Sequence, residues 1–360
     1  MQSRVASIVA TVLIWLTAVL PASASPTLLF EPATGKVLYA EDVDDTWYPA
    51  SLTKLMTAYV AFEAIKEGKI RLDDKIACSL VATLQPPSKV GLNVGAKLTV
   101  DQALKAVIIK SANDVTVMLA EAISGSESAF IEKMNATARR LGMTRTSFVN
   151  TNGLPDPGQL TSARDIAKIS RAVVSEYPQY AHYWAMPDMH IGKKRLGSHN
   201  ALLRTFPGAD GLKTGFTCDS GYNVVASATR DGRQLMAVVM GESSGNERAI
   251  RAASLLEYGF QTYDWKQIFN TTTIDNLPMT PTPKGVISVR HTVAAWGCNP
   301  HKQQAAKKPK AKVAASKNAK KTSEGSDDAR AALKGAATEG VAARSTVRSG
   351  NPEAAQATSE

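Results

Sequence analysis

Three short motifs bring together the residue types that an acyl-transfer reaction needs. One pairs a serine with a lysine three positions later, one pairs a serine with an asparagine two positions later, and one joins a lysine, a threonine and a glycine. They are Ser51-Leu52-Thr53-Lys54, Ser111-Ala112-Asn113 and Lys213-Thr214-Gly215. Each pattern is weak alone because short patterns recur by chance, but the three in this order indicate a serine nucleophile activated by a lysine.

The first motif predicts a nucleophile with its own base. Residues three apart on a helix share one face, so the Lys54 amine can reach the Ser51 hydroxyl. Lysine can take the serine proton if desolvation and a second cation lower its pKa, and Lys213 is the candidate for that cation. The helix start also offers free backbone N–H groups, that of Ser51 included, which can hold a developing oxyanion.

Hydrophobic periodicity and turn residues predict the elements that must position these motifs. Strands are predicted over 26–30, 36–40, 221–229 and 234–240, and helices over 51–66, 100–110, 114–123, 128–141, 162–176 and 246–262. The second motif then lies in a break between two helices, and Lys213 lies where a further strand begins. Early strands, a helical middle and late strands predict an α+β fold, with an antiparallel sheet completed by both ends of the chain and a helical cluster inserted.

The motifs and their neighbours resemble the low-molecular-weight penicillin-binding proteins that are D-alanyl-D-alanine carboxypeptidases, peptidase family S11. The resemblance spans most of residues 26–260. It is carried by residues 48–57, 111–114, 148–150, 153–154, 161–165, 199–200 and 210–217. It implies a β-lactamase/transpeptidase-like fold, with an antiparallel sheet flanked by helices and a helical subdomain. It also implies removal of the terminal D-Ala from peptidoglycan stem peptides, with β-lactams as covalent inhibitors and no cofactor or metal.

The resemblance further implies a role for each motif residue. Ser51 corresponds to the acylated nucleophile, Lys54 to its general base and Ser111 to a proton relay. Six residues correspond to the substrate-binding set: Asn113 for the peptide, Lys213 and Thr214 for the terminal carboxylate, Gly215 beside them, Phe216 for its backbone N–H in the oxyanion hole, and Arg248 as an aid at the carboxylate.

Other functions stay open beside the carboxypeptidase. A D,D-endopeptidase of the same fold would cut cross-links, and a catalytically idle penicillin-binding module would dock to the cell wall through its tail. The intact Ser51, Lys54 and Lys213 argue against the idle module. A β-lactamase needs an efficient water-activating group, and no acidic residue can be given that role from the sequence. His199 is expected to be structural and hydrogen-bonded rather than a catalytic base.

A second candidate nucleophile lies later in the chain. Residues 241–245 match G-x-S-x-G between a predicted strand and a predicted helix, which would make Ser243 the nucleophile of an α/β-hydrolase. Asp264 or Asp275 could then form a triad with His291. No HGGG-type oxyanion segment lies upstream, and the late strands are predicted to be antiparallel. We therefore interpret this motif as a polar loop, with Ser243 or Ser244 near a helix cap.

The two ends of the chain differ in composition from its middle. Arg4, the apolar run over 5–20 and the small residues at 22–24 predict a signal peptide over 1–24, and hence a periplasmic or cell-envelope location. Residues 301–360 contain no Phe, Trp, Tyr, Ile or Met, so a disordered tail is predicted. Residues 25–263 are then the predicted serine D,D-peptidase domain, and residues 264–300 a short annex of unclear structure.

Most of the net charge belongs to the predicted tail. The chain carries 42 basic and 32 acidic residues, a net charge of +10, and the tail contributes +6 through 12 basic and 6 acidic residues. This tail is expected to contact anionic cell-wall polymer or a membrane surface, or else only to solubilise the protein. Specific nucleic-acid binding is not expected, because no aromatic residues are interleaved with the lysines. The family's usual membrane-surface helix is also not expected, because the tail lacks a large apolar face.

The cysteines and histidines carry less information. Cys78, Cys218 and Cys298 are too few for a disulfide scaffold and allow at most one pair. Cys218 is expected to be a packed small side chain rather than a redox-sensitive thiol, and Cys78 and Cys298 to be structural or paired. The five histidines show no zinc-site spacing, so no metal site is predicted.

Overall fold

The computed structural model describes residues 25–269, 271–293 and 298. The predicted signal peptide over 1–24 and the predicted disordered tail over 301–360 lie outside the described residues. Within the described part of the chain, no helix is both long and apolar enough to cross a membrane.

The described residues form nine strands. They are β1 (Thr27–Phe30), β2 (Val37–Glu41), β3 (Lys75–Ala77), β4 (Lys97–Thr99), β5 (Asp188–Ile191), β6 (Lys194–Gly197), β7 (Ala209–Thr217), β8 (Gly221–Arg230) and β9 (Arg233–Glu242). Five of them build one antiparallel sheet in the order β2-β1-β9-β8-β7. The amino-terminal hairpin pairs with β9, so both ends of the predicted fold complete one sheet, as expected.

The helices surround this sheet. They are α1 (Lys54–Lys66), α2 (Leu80–Leu84), α3 (Val100–Lys105), α4 (Asn113–Ser124), α5 (Glu127–Arg140), α6 (Ala163–Ser175), α7 (Ala181–Ala185), α8 (Leu202–Thr205) and α9 (Gly245–Phe269). Successive sheet residues face opposite sides, because strand side chains alternate. Leu28 and Val225 pack into the larger core with the helical cluster, whereas Leu29 and Val224 pack into a smaller core against α9.

Helix α1 lies at the centre of the helical cluster. Ten of its thirteen residues are buried, so it shows no polar face. Phe62 stacks on Tyr180 with ring centroids 4.3 Å apart, and Tyr59 meets the edge of Tyr177 at 5.1 Å. This packing fixes the helix that begins at Lys54, directly after the 3-10 turn that carries Ser51.

Several predicted elements differ in detail. The predicted helix over 51–66 begins with a tight 3-10 turn, Ala50–Thr53, and the one over 100–110 widens into a π-helical turn over Ala106–Lys110. The K-T-G motif lies within β7, which starts at Ala209, rather than at a strand start. The two-stranded sheets β3–β4 and β5–β6 were not predicted, because strands of three or four residues are too short to show a period.

The chain beyond the predicted domain boundary at residue 263 continues the fold. Helix α9 passes through that boundary to Phe269. Residues 271–293 then return along the core: Val37 N donates to Thr272 O at 2.9 Å, and Ile274 N donates to Gly35 O at 2.9 Å. Residues 271–293, within the segment over 264–300 that is expected to be an annex of unclear structure, therefore pair with the amino-terminal hairpin through backbone hydrogen bonds.

The cysteine interpretation requires a correction. Cys218, expected to be a packed small side chain, forms a disulfide with Cys298, which lies 80 residues away in the sequence. Cys78 is buried and is not disulfide-bonded, so it is not the partner of Cys298. The return of the chain toward β7 after residue 271 brings the two sulfurs together, and no local pattern reports that path.

Candidate active site

The amine of Lys54 lies against the hydroxyl of Ser51. Lys54 is fully buried, and its Nζ lies 3.0 Å from Ser51 Oγ. Nζ also donates to Asn113 Oδ1 at 2.8 Å and to the carbonyl of Asn152 at 2.6 Å. A neutral amine has two N–H groups and one lone pair. The two carbonyl-type acceptors take both N–H groups, which leaves the lone pair for the proton of Ser51.

Two effects favour the neutral form of that amine. Burial lowers the pKa of Lys54 well below its ordinary value, and the nearby charge of Lys213 lowers it further, while Asp114 opposes both effects. Burial and then the charge of Arg248 lower the pKa of Lys213 itself to about 7. The site therefore places a desolvated amine, able to accept a proton, beside a hydroxyl.

Ser111 ends the π-helical turn in an unusual conformation. Its φ is +61°, in the left-handed region that is uncommon for a residue with a side chain. Its Oγ is buried and makes no hydrogen bond among the described residues. A buried hydroxyl without a partner costs free energy, so this atom is suited to a hydrogen bond with a bound substrate.

Asn113 is held from several sides. Its side-chain oxygen accepts from Lys54, its Nδ2 donates to Pro86 O at 2.8 Å, and its backbone N–H donates to Ser88 O at 2.7 Å. The neighbouring Asp114 accepts the backbone N–H groups of Val90 and Gly91. These bonds fix the 86–91 loop over the carboxamide.

Strand β7 lies directly beside the turn that carries the nucleophile. A Cβ on Gly215 would lie 3.0 Å from Pro49 O and 3.1 Å from Ser51 N, so only glycine lets the strand approach this closely. Gly153 closes the other side, with a φ of +84° and a would-be Cβ only 1.8 Å from Ala50 O. The backbone of Ser51 is thus enclosed by two glycines from distant parts of the chain.

These residues line a cleft of about 340 Å³. Ser51, Ser111 and Asn113 form one wall, and Thr214, Gly215 and Phe216 of β7 form another; Arg248, His199 and Tyr222 also line it. Lys54 and Lys213 are not among the lining residues. The structure therefore brings the predicted site residues together, with two buried lysines behind the cleft wall.

Arg248 reaches the cleft from helix α9. Its guanidinium donates to the carbonyls of His199 at 3.2 Å and Asn223 at 3.4 Å, and lies 5.7 Å from the centroid of the Tyr222 ring. Burial lowers the pKa of Arg248 to about 10, so it stays cationic at neutral pH. Partial burial and the charge of Lys213 lower the pKa of His199 to about 4, so its ring is neutral.

The alternative nucleophile does not belong to such a site. Strands β8 and β9 around the G-x-S-x-G motif are antiparallel, and Ser244 Oγ accepts the backbone N–H of Glu247 at 3.1 Å, as a helix cap does. Ser243 donates to the Glu247 carboxylate. The acids nominated for its triad pair elsewhere, Asp264 with Arg233 and Asp275 with Arg171. The helix-cap interpretation is confirmed.

Two contributors were not found from the sequence. Asn152 supplies a carbonyl to Lys54, and its side chain donates to Gln85 Oε1. It directly precedes Gly153-Leu154, a pair within the family resemblance, but a backbone carbonyl leaves no signature in residue type. Asp114 follows the second motif and influences Lys54 through charge alone. Within the described ranges, no group of three or more His, Cys, Asp or Glu side chains is arranged to hold a metal ion.

Comparison with known proteins agrees with this geometry. The sequence model of peptidase family S11, D-alanyl-D-alanine carboxypeptidase, matches residues 17–244. D-alanyl-D-alanine carboxypeptidase DacF of Bacillus subtilis is 35% identical over 251 residues, covering 68% of this chain and 64% of that protein. DacC of Escherichia coli is 36% identical over 244 residues, covering 66% and 61% respectively. The chain thus spans less than two thirds of the length of these relatives.

Solved structures show the same fold. Penicillin-binding protein 5 of Haemophilus influenzae is 37% identical with a TM-score of 0.64, covering 66% of this chain and 71% of that one. Penicillin-binding protein D2 of Listeria monocytogenes, solved in a cefotaxime-bound form, is 30% identical with a TM-score of 0.60, covering 66% and 97% respectively. The α+β fold predicted from the sequence, an antiparallel sheet flanked by helices, is confirmed.

Proposed function

The chain belongs to the D-alanyl-D-alanine carboxypeptidases of peptidase family S11, and we propose that it removes the terminal D-Ala of peptidoglycan stem peptides through an acyl-enzyme on Ser51. The observation that carries the proposal is the Lys54 amine, buried and 3.0 Å from Ser51 Oγ with both of its N–H groups already engaged. In this arrangement the Lys54 amine can activate the Ser51 hydroxyl as a base, and it is not directed at another nucleophile of the cleft.

Acylation begins with proton transfer from Ser51 to Lys54. The Ser51 oxygen then attacks the carbonyl carbon of the penultimate D-Ala, and the carbonyl oxygen becomes an oxyanion. The backbone N–H groups of Ser51 and Phe216 are proposed to stabilise it. The close approach of Gly215 to Ser51 N supports this role, because it brings β7 alongside the nucleophile turn.

Departure of the terminal D-Ala needs a proton on its nitrogen. Ser111, with its buried and unpartnered hydroxyl, is proposed to relay that proton from Lys54. Asn113 is proposed to hydrogen-bond the peptide, and Lys213, Thr214 and Arg248 to receive the carboxylate. Water then attacks the acyl-enzyme, which releases the shortened stem and restores Ser51 and Lys54.

Mass spectrometry after exposure to penicillin tests the nucleophile. A β-lactam resembles the acyl dipeptide and should leave a covalent adduct that peptide mapping places on Ser51. Ser51→Ala should abolish the adduct, whereas Ser243→Ala, at the alternative motif, should leave it intact. The opposite result would end the assignment.

Release of free D-Ala tests the reaction itself. A pentapeptide monomer should yield D-Ala, and a cross-linked muropeptide dimer should be cleaved more slowly. Faster cleavage of the dimer would identify the enzyme as a D,D-endopeptidase. If neither substrate is cleaved and penicillin forms no adduct, the protein is a catalytically idle module.

The substrate of this reaction lies outside the cytoplasm, so the proposal includes export through residues 1–24. It also includes contact of the basic residues 301–360 with anionic wall polymer. Cell fractionation of the full chain and of a chain lacking 301–360 tests both. The full chain should co-sediment with sacculi, and the shortened chain should do so less. Equal retention of the two chains on sacculi would show that residues 301–360 do not bind the wall.

A further inference from the structure

Asn223, on strand β8, is buried behind the catalytic cleft. It is 0% exposed and is not among the residues that line the cleft. In the register of the sheet it lies directly opposite Gly215 of β7. Its Nδ2 donates to Tyr48 O at 3.0 Å and to Pro49 O at 3.2 Å. Asn223 therefore joins the sheet to the nucleophile turn, residues 48–51.

The oxygen of the Asn223 carboxamide is held as well. The pairing of β8 with β9 shifts register between Tyr222 and Val224, and at this shift Gly241 N donates to Asn223 Oδ1 at 2.9 Å. The two carbonyls of the nucleophile turn take the N–H groups of Nδ2, and Gly241 uses the oxygen, so the orientation of the carboxamide is fixed. A side chain bonded in this way to three backbone groups can hold them at a constant spacing.

The nucleophile turn has an unfavourable backbone conformation. Ala50 has a φ of +47°, in the left-handed region that costs free energy for a residue with a Cβ. Such a conformation persists only where the surrounding contacts enforce it. The two carbonyls that Asn223 holds belong to Tyr48 and Pro49, which directly precede Ala50. These bonds keep the turn, and with it Ser51 N, from relaxing away from β7.

The atom that Asn223 holds is also the atom against which β7 packs. A Cβ on Gly215 would lie only 3.0 Å from Pro49 O. The two backbone N–H groups proposed to stabilise the oxyanion lie beside this contact, because Ser51 is two residues after Pro49 and Phe216 is one residue after Gly215. The distance between the two donors therefore follows from the spacing of the turn and β7.

We propose that Asn223 is a positioning residue, which sets the separation of the two oxyanion donors by holding the nucleophile turn against β7. The inference rests on the proposed function. Asn223 acts through Ser51 N and Phe216 N and does not touch the substrate. Because the carbonyl oxygen becomes an oxyanion only as the acyl bond forms, loss of this positioning slows acylation and leaves the preceding binding step nearly unchanged.

Asn223→Asp in the full chain removes the donor bonds alone. Aspartate has the shape of asparagine and still accepts from Gly241 N, but its carboxylate repels the two carbonyl oxygens of the turn. The maximal rate constant of penicillin acylation should fall by about 10- to 100-fold, as expected when reacting groups are misplaced by about 1 Å. The penicillin concentration that gives half of this rate should stay within about twofold of the wild-type value.

Asn135→Asp is the matched control. Asn135 holds a backbone segment through the same groups, since its Nδ2 donates to Phe148 O at 2.8 Å and its Oδ1 accepts from Phe148 N at 2.9 Å. It is not among the residues that line the cleft, so both acylation constants should stay within about twofold of the wild type.

The final amount of penicillin adduct separates positioning from folding. This amount counts the folded molecules, so a loss of folding lowers it, whereas a loss of positioning lowers the rate at which the full amount forms. If Asn223→Asp lowers the amount, Asn223→Ser, whose hydroxyl is too short to replace the carboxamide, is measured in the same way and should show the same slow acylation.

Three results overturn the inference. They are a full amount of adduct formed at the wild-type rate by the Asn223 variant, a raised half-maximal concentration with an unchanged maximal rate, and an equal slowing in Asn135→Asp. The absence of any adduct on the wild-type protein overturns instead the proposed function.

Discussion

Replacing Arg164 by methionine should destabilise this fold far more than a change at an exposed arginine. Arg164, in the first turn of α6, forms an ion pair with Asp44, with the two side chains only 4% and 1% exposed. Its Nε lies 2.6 Å from Asp44 Oδ1, and its Nη2 lies 2.9 Å from Oδ2. The same guanidinium donates to the carbonyls of Ile274, Leu277 and Pro278. Arg164 therefore clamps the returning segment 271–293 to the core.

The expected cost follows from what methionine leaves behind. Methionine fills similar space without a charge, so the Asp44 carboxylate stays buried without its partner. Breaking a buried pair from one side costs about 3–5 kcal/mol. For a folded unit of this size, that loss lowers Tm by about 6–20 °C.

The loss should also depend on pH. Burial raises the pKa of Asp44, but the hydrogen bonds from Arg164 and Thr280 outweigh it and hold the pKa below its ordinary value of 3.8. The wild-type pair thus stabilises the protein fully above pH 3.8, and the contribution is lost as pH falls through the lower folded pKa. In Arg164→Met burial prevails, so Asp44 takes up a proton at a higher pH. The difference from wild type should shrink between pH 7 and pH 4.

Urea unfolding of the oxidised full chain at pH 7 and pH 4 measures both effects. Arg71→Met is the matched control, because Arg71 pairs with Asp73 while both side chains are 76% exposed. It should cost less than about 1 kcal/mol at either pH. Arg164 does not have this role if Arg164→Met lowers the free energy of unfolding no more than Arg71→Met does, or if its effect is the same at both pH values.

Two further changes concern strand β7 and the disulfide at the residue that follows it. Lys213→Met removes a charge that lowers the pKa of Lys54, so the pKa of Lys54 should rise. The acid limb of the pH profile of penicillin acylation should then move to higher pH. An unchanged acid limb would show that Lys213 does not influence the pKa of Lys54. The double change Cys218→Ser with Cys298→Ser opens a bridge between residues 80 apart in the sequence, and it should lower the free energy of unfolding by about 2–5 kcal/mol under non-reducing conditions. An unchanged urea midpoint would show that the bridge adds no stability.

Much of the fold could be predicted because its signals are local. The Asp231-Gly232 turn between two apolar runs predicts the β8–β9 hairpin, and the structure has that hairpin. The helix periodicity over 128–141 and 162–176 predicts α5 and α6 to within one residue at each end. Strands β3, β4, β5 and β6 were not predicted, because each is too short to show a local hydrophobic period.

The candidate site also has local features that the sequence predicts and long-range contacts that it does not. The residue types that can do chemistry are evident from the sequence, because Ser51 and Lys54 are three positions apart and their contact is nearly a local property. Tertiary packing, in contrast, brings the Asn152 carbonyl and Asn113 Oδ1 to the two N–H groups of the amine. It also brings Cys298 to Cys218. The hydrogen bonds of Lys54 reach Asn113 and Asn152, which lie 59 and 98 positions away, and the disulfide joins residues 80 positions apart. All three contacts depend on how the whole core packs. No local pattern of residue types encodes that packing.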